Sequence, residues 1–410
     1  MSARNLGALV LSVVVGIHAG CGAESSEPVG GADSFALAGF GDESGREVAG
    51  EARAPAPDRN PQPVQPAAAP RRAPVAGVLH LKKLDVYDPG TSATAFGILV
   101  PSGWKKKGGV VWNLKEAQLA YMQIKFYNPA GSEQVEFFKN KAFYWQPPGT
   151  WIYQFRTGSH YLGCEVQPAT TDPRAFIEKF FLPRERRGFG ARVTATEDLP
   201  KIAKAAGKSL PGGLSPTIRA GRVRLEYRLD GKEMQEDVYV TLAATRSPYN
   251  RNVIFWGPTM LYSFRAEKGK LDAQTPLFNA MVSSSVIYLK WKAGYEYVQR
   301  LWTQGQMQAI ANAGHISRII AQNGEEIRQM YSRSYERRQR TYDRIYRNYS
   351  NYIRGVSDYK DPHSGDVVTM PSGYDHVWIN RLGEYHLSNN PNYNPNLHGN
   401  QSWSQARPVR

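Results

Sequence analysis

The chain has 410 residues, of which 41% are hydrophobic and 21% charged, with a formal net charge of +15 and two cysteines, Cys21 and Cys164. That length and apolar content allow a core. No stretch after the N-terminal region reaches the roughly 18 unbroken apolar residues expected of a transmembrane helix, so any anchor is expected at the N-terminus.

Arg4 and the amino terminus precede a short apolar run from Leu6 to Ile17, too brief to span a bilayer, so 1–20 reads as a secretory signal peptide. The run ends in His18-Ala19-Gly20-Cys21. Small residues before a cysteine resemble the lipobox of bacterial lipoproteins, with His18 where an aliphatic residue is usual. That resemblance implies a lipidated Cys21. Gly22 follows in place of the Asp of inner-membrane retention, which implies outer-membrane or surface display. With Cys21 lipidated, one thiol is left and no intramolecular disulfide can form.

Residues 21–75 are rich in Ala, Pro, Gly and Glu and read as a lipid-anchored disordered tether, too poor in large apolar side chains to offset the entropy of ordering. From Gly22 to Val75 eight acids face five basic residues, and Arg4 precedes them, so Ala76 onward holds +17 of the formal +15. A basic folded part on an exported chain meets lipopolysaccharide, anionic lipid, acidic polysaccharide and released DNA. Nucleic acid ranks last among these partners, and an anionic envelope polymer or an envelope protein ranks first.

Over 76–270 the period is two. Phe96, Ile98 and Val100 alternate before Pro101-Ser102-Gly103, and Met122, Ile124 and Phe126 alternate against Tyr121, Gln123 and Lys125 before a turn and "EQVEFF". Lys105, Lys106 and Lys107 read as a solvated turn. Val223, Leu225, Tyr227 and Leu229 alternate up to Asp230-Gly231, a pair suited to the positive φ angles of a type I′ hairpin turn, and the pattern resumes at Val238, Val240 and Leu242. A last strand is expected over Val253 to Phe264. One face of these strands should be buried and the other wet. Thr171-Asp172-Pro173 marks the start of a helix running to Phe181, and a shorter one is expected around Leu199 to Ala206. The expected fold is α+β: an antiparallel sheet domain with packed helices.

The period then lengthens. Apolar, aromatic and small residues from Trp291 to Val356 recur every three or four positions, which predicts over 276–356 mainly one long amphipathic helix, with a helical hairpin broken at Asn323-Gly324 as the alternative. Its second half interleaves tyrosines with arginines. Arg337, Arg338, Arg340, Arg344 and Arg347 are the anion-binding candidates, against a reading in which they stay in water. The end, 357–405, reads as a small turn-rich cap. In it Val377-Trp378-Ile379 and Glu384 to Leu387 form a hairpin about Arg381-Leu382-Gly383, followed by Asn-Pro-Asn turns.

Candidate chemistry is sparse. His160 and Cys164 suggest a base and a nucleophile, but an extended chain separates them by about 13 Å unless Gly163 bends it. His363, His376, His386 and His398 stand near Asp361, Asp366, Asp375 and Glu384 without the order of a metal motif, so no metal and no cofactor is expected. Tyr374, Trp378, Tyr385 and Trp403 are the candidates for stacking on a sugar.

The stretch "FGILVPSGW" resembles the opening of the PsbP-like α/β-sandwich proteins, which implies a fold and no active site. Gly373, Tyr374, Asp375, Val377, Trp378, Asn380, Gly383, Glu384, Tyr385, Asn394, Pro395 and Asn396 resemble the closing pattern of a group of bacterial exported proteins and lipoproteins without an established activity. The expected role is that of a non-enzymatic, lipid-anchored cell-envelope protein that binds or scaffolds an envelope component. The alternative is an exported hydrolase or carbohydrate-binding module acting on cell-wall or extracellular polysaccharide.

Overall fold

The structure is a computed structural model and describes residues 77–149, 155–208, 216–247, 250–303, 316–329, 332, 355–397 and 399–409. The signal peptide, Cys21, the tether, His398 and the five arginines Arg337, Arg338, Arg340, Arg344 and Arg347 lie outside them.

The strands of the first half are β1 (Leu79–Asp88), β2 (Ala93–Pro101), β3 (Lys105–Trp112), β4 (Ala120–Tyr127), β5 (Gln134–Phe137), β6 (Phe143–Trp145), β7 (His160–Tyr161), β8 (Cys164–Val166) and β9 (Arg192–Asp198). The longest follow: β10 (Thr217–Leu229), β11 (Lys232–Arg246) and β12 (Ile254–Glu267). Then come β13 (Val286–Ile287), β14 (Val356–Lys360), β15 (Val367–Pro371), β16 (His376–Asn380), β17 (Tyr385–Ser388), β18 (Trp403–Gln405) and β19 (Arg407–Pro408). They form three sheets. A ten-stranded sheet runs β3-β4-β5-β12-β11-β10-β9 with β6, β7 and β8 branching from β12, a six-stranded sheet runs β13-β2-β1-β17-β16-β18, and a small one runs β15-β14-β19. The fold is α+β.

The hairpin of β10 and β11 has the predicted turn, with Asp230 at φ 49° and Gly231 at φ 78°, and Tyr227 sits opposite Met234. Two strands adjacent in sequence part company: β2 joins the six-stranded sheet while β3 starts the ten-stranded one. Lys105, Lys106 and Lys107 therefore lie in an exposed edge strand, not in a turn. Charge on an edge discourages further strand pairing.

The expectation of a wet face fails for β11, which is buried on both sides. Val223, Leu225, Val238, Val240 and Leu242 pack under helix α1 with Phe176, Ile177, Phe180 and Phe181. Tyr239, Tyr262 and Phe264 face the other way, into a core shared with Phe96, Ile98 and Phe278. Two adjacent acids of β11 are paired within these covered layers. Glu236, fully buried, takes Arg186 on both oxygens at 2.7 and 2.5 Å and the Tyr227 hydroxyl at 2.8 Å. Burial alone would raise the Glu236 pKa, but Arg186 overrides it and holds the carboxyl below its ordinary value. Asp237, equally buried, accepts from Arg224 Nε at 2.7 Å, and Arg224 reaches on to Asp272 at 2.6 Å.

Helix α1 is continuous over an α-helical turn Pro173–Phe176, a π-helical turn Ile177–Phe181 and a last turn Leu182–Glu185. Asp172 caps it, accepting from Ala175 N at 3.1 Å, and Pro173 opens it. It runs past Phe181 because Leu182 N–H bonds back to Ile177 O, five residues away, a π-type bulge just before Pro183, which has no N–H to donate. Helix α2 (Pro200–Lys208) follows, then α3 (Leu271–Ser283), α4 (Leu289–Thr303) and α5 (Ile316–Gln322).

The described residues of 276–356 do not form a single helix. Pro276 lies inside α3, the strand β13 interrupts at Val286, and Arg300 Nη2 meets Glu326 Oε1 at 2.5 Å. A straight helix would hold those two residues about 39 Å apart. At Asn323-Gly324, the break point of the hairpin alternative, α5 ends at Gln322 and helical residues resume at Gly324, with Ile327 N bonding Asn323 O across the turn.

The C-terminal cap is built into the N-terminal sheet. Leu79, His80 and Leu81 of β1 pair with Leu387, His386 and Tyr385 of β17, and β16 and β18 extend the sheet outward. Leu81, Leu99, Val377, Ile379, Tyr385 and Leu387 form one core with Tyr359, Val368 and Met370 of the small sheet. Where β1 ends, Asp88 ties the layers together, accepting from Trp112 Nε1 at 3.0 Å, Trp291 Nε1 at 2.6 Å, Thr91 Oγ1 at 2.9 Å and Gly90 N at 2.8 Å.

Two outcomes follow for denaturant unfolding. Leu387→Ala should lower stability by about 2–5 kcal/mol, the range for emptying a buried leucine site, whereas Leu382→Ala in the exposed turn should change it by less than about 0.5 kcal/mol. Glu236→Gln should cost about 3 kcal/mol, because Arg186 is then left buried with Glu136, at 2.9 Å, as its remaining carboxylate.

Candidate functional site

The six-stranded sheet has two different faces at its C-terminal end. On one face the shared apolar core stops short and leaves a polar cleft of about 660 Å³ between that sheet, the 361–364 loop and the β16–β17 turn. Its volume falls within the range of small-molecule pockets.

Each wall is fixed by local hydrogen bonds. Asp361 Oδ1 accepts from His363 N at 2.8 Å and Ser364 N at 3.3 Å, so its side chain shapes the loop in the manner of an Asx turn. His363 Nε2 lies 3.1 Å from Ile379 O. A carbonyl only accepts, so this nitrogen carries the proton and Nδ1 is left as the second polar atom of the ring. Asn380 Oδ1 accepts from Leu382 N at 3.0 Å and Glu384 N at 2.9 Å, while its Nδ2 donates to Glu384 and Gln401. Gly383 closes the turn at φ 75°, where a side chain would be strained. Arg381 and Leu382 are thereby held out at the tip. On the opposite wall Lys83 lies 3.9 Å from Asp85 and over the Tyr288 ring. Tyr288 donates to Asp85 at 2.7 Å, and burial, with that carboxylate, pushes its hydroxyl well above the ordinary tyrosine range. Tyr385 is pushed up likewise, by burial and then by Asp361 and Asp366.

The cleft thus presents Lys83, Arg381 and His363, with Ser284 and Ser364 between them, around one carboxylate already bonded to two amides. Such a lining offers cationic and hydroxyl groups suited to charge-assisted hydrogen bonds.

The other face carries a stack. His386 is stacked on His80 with centroids 3.8 Å apart, its second face meets Trp403 at 4.1 Å, and its Nδ1 takes the Tyr393 hydroxyl at 2.5 Å. Asn396 pins this arrangement by accepting from Trp403 N at 2.7 Å and donating to Trp403 O at 3.0 Å. The asparagine-rich stretch is therefore a fastening for the end of the sheet.

Of the four sugar-stacking candidates, Trp378 and Trp403 share the stacked side of the sheet region, Tyr385 is in the core on the other, and Tyr374 packs at the edge of that core. They do not form one surface. Among the acids and histidines, Asp361 and His363 reach the cleft, His376 Nδ1 bonds Gln405 at 3.0 Å, Glu384 holds Asn380, and Asp375 is exposed. Among the described residues no three His, Cys, Asp or Glu side chains come together as metal ligands. His160 and Cys164 flank a tight turn in which Leu162 and Gly163 take φ of 49° and 72°, which bends the chain as extended spacing did not. Even so Cys164 is buried under Tyr144 and Phe255 while His160 faces out. Lys83, Ser284 and Arg381 were not foreseen. Nothing local marks them, since Lys83 and Arg381 meet only through the β1–β17 pairing.

No family model matches the chain, and no curated protein matches it. Among solved structures it is similar to the solution structure of cyanobacterial PsbP (CyanoP) from Synechocystis sp. PCC 6803, at 13% identity over 53% of this chain and 98% of that one, with a TM-score of 0.20. The likeness to the PsbP-like fold is weak and partial.

The stack makes stability depend on pH. Burial, reinforced by the neighbouring His80 and opposed by Glu384, pushes His386 down to about 4, against about 6.5 in an unfolded chain. Between those values the unfolded chain holds the extra proton. Stability should therefore be full above about pH 7, fall as the pH drops from about 6.5 to about 4, and level off below. Urea midpoints measured between pH 4 and pH 7 should show this decline, and His386→Phe, which keeps a stacking ring but cannot titrate, should flatten it.

Proposed function

We propose that this chain is an exported, lipid-anchored envelope protein whose folded body binds an anionic envelope component without transforming it. The observation that carries the reading is the lining of the polar cleft: Arg381 held out by a fastened turn, Lys83 opposite, and His363 with one ring nitrogen already bonded. The leader pattern, the lipobox-like Cys21 and the tether support the anchored placement. The likeness of the closing stretch to exported bacterial proteins supports it too, and the +17 beyond Ala76 supports an anionic partner. An acidic saccharide fits these groups best, since its carboxylate meets Arg381 and its hydroxyls meet Ser284 and Ser364.

One observation favours the hydrolytic alternative, namely that Asp361 and His363 face the same cleft. Titrating the folded protein with a carboxylated cell-wall oligosaccharide, while following the length of that oligosaccharide, separates the two. Binding without shortening is expected, with Arg381→Ala weakening it by about tenfold or more, the loss of one charge-assisted bond. Shortening that disappears in Asp361→Asn would establish the hydrolase instead, and no retention of any anionic envelope polymer would end the binding reading.

A further inference from the structure

A second cleft, of about 910 Å³, opens between the β1–β2 turn, α4 and the α5 region. It shares no lining residue with the polar cleft. Its walls are apolar, formed by Ala93, Ala293, Ile320 and Ile327, whereas its mouth carries Lys290 and Arg318. Arg328, also at the rim, is held by Glu325 at 2.5 Å. Lys290 and Arg318 are exposed and, among the described residues, form no ion pair.

One wall is rigid. Asp88 fixes the β1–β2 turn by accepting from Gly90 N and Thr91 Oγ1 and anchors it to α4 through Trp291. The facing wall is positioned by contact with α4: Ile320 fits against Gly294, where an added Cβ would come within 3.0 Å of the Ile320 side chain. An apolar hollow of this size with a cationic mouth and no carboxylate among its lining residues is complementary to a molecule with an apolar body and one negative end. We infer that this cleft binds an anionic amphiphile, its acyl chain against Ala93, Ala293 and Ile327 and its carboxylate or phosphate between Lys290 and Arg318.

The test is calorimetric titration of the full-length protein with dodecanoic acid and with dodecyl phosphate, using dodecanol as the uncharged control. Saturable one-to-one binding of at least one anion is expected, at least about tenfold tighter than dodecanol, and the better anion tells a fatty acid from a phosphorylated lipid end. The double variant Lys290→Glu, Arg318→Glu should lose about tenfold or more, since each charge-assisted bond is worth about that factor. Ala321→Trp, at an exposed lining position, should block entry while leaving the unfolding midpoint unchanged. Equal affinity for dodecanol, binding unaffected in both variants, or no binding of either anion would overturn the assignment. Because Arg381 lies in the other cleft, the saccharide titration and this one fail independently.

Discussion

The rest of the structure depends on the free edge of β1. Among the described residues that strand is the first, with β2 on one side and only β17 on the other. An uncovered edge is a row of unpaired backbone groups ready to take any passing strand. Three residues, Leu79 to Leu81, are covered by Leu387 to Tyr385 from some 300 positions later. Once β17 is docked, its hairpin partner β16 and then β18 follow by antiparallel pairing. Both features of the region are by-products of that closure: the polar cleft needs Lys83 and Arg381 on one face, and the imidazole stack needs His80 and His386 on the other.

The large sheet solves a different problem, that of carrying charge through a doubly covered layer. Arg186 leaves the end of α1 and lies over the Phe138 and Phe181 rings to reach Glu236 and Glu136. Arg224 joins β11 to the first turn of α3 through Asp237 and Asp272. Removing charges from water is costly, and such pairs rarely add net stability over apolar residues of the same shape. What they do supply is position: each joins a helix to one register of the sheet, and a slipped strand would leave a buried charge alone. The carboxylate of Asp88 does the same between sheets with two indole donors in place of a cation.

Much of this fold was legible where the signal is local. Asp230-Gly231 needs two positive φ angles and announces its hairpin, Asp172-Pro173 announces a helix start, and Arg381-Leu382-Gly383 between two short apolar runs announces β16 and β17. Long-range facts left no such mark. Glu236 and Asp237 look like wet-face residues because their arginine partners lie 50 and 13 positions away. The helical stripe stayed in phase through α4 and α5 because periodicity reports which face is apolar, not whether residues as far apart in sequence as Arg300 and Glu326 come side by side. As for the sites, Asp361 and His363 line the polar cleft, whereas His376 and His386, grouped with them in the sequence, are sent to the other face by strand alternation. The aromatic residues named for sugar stacking were a fair reading of composition, yet Tyr385 is in the core and Trp403 is covered on one side by His386.

The central claim is that the N-terminal strand and the C-terminal hairpin are one cooperative unit. Native-state hydrogen exchange tests it most directly. The amides of Leu79, Leu81, Tyr385 and Leu387 should exchange with a common opening free energy, and Leu387→Ala should lower protection at all of them together. Rapid exchange across 376–405 while 79–101 stays protected would show the hairpin to be a separate, loosely attached tail, and would remove the basis for the polar cleft.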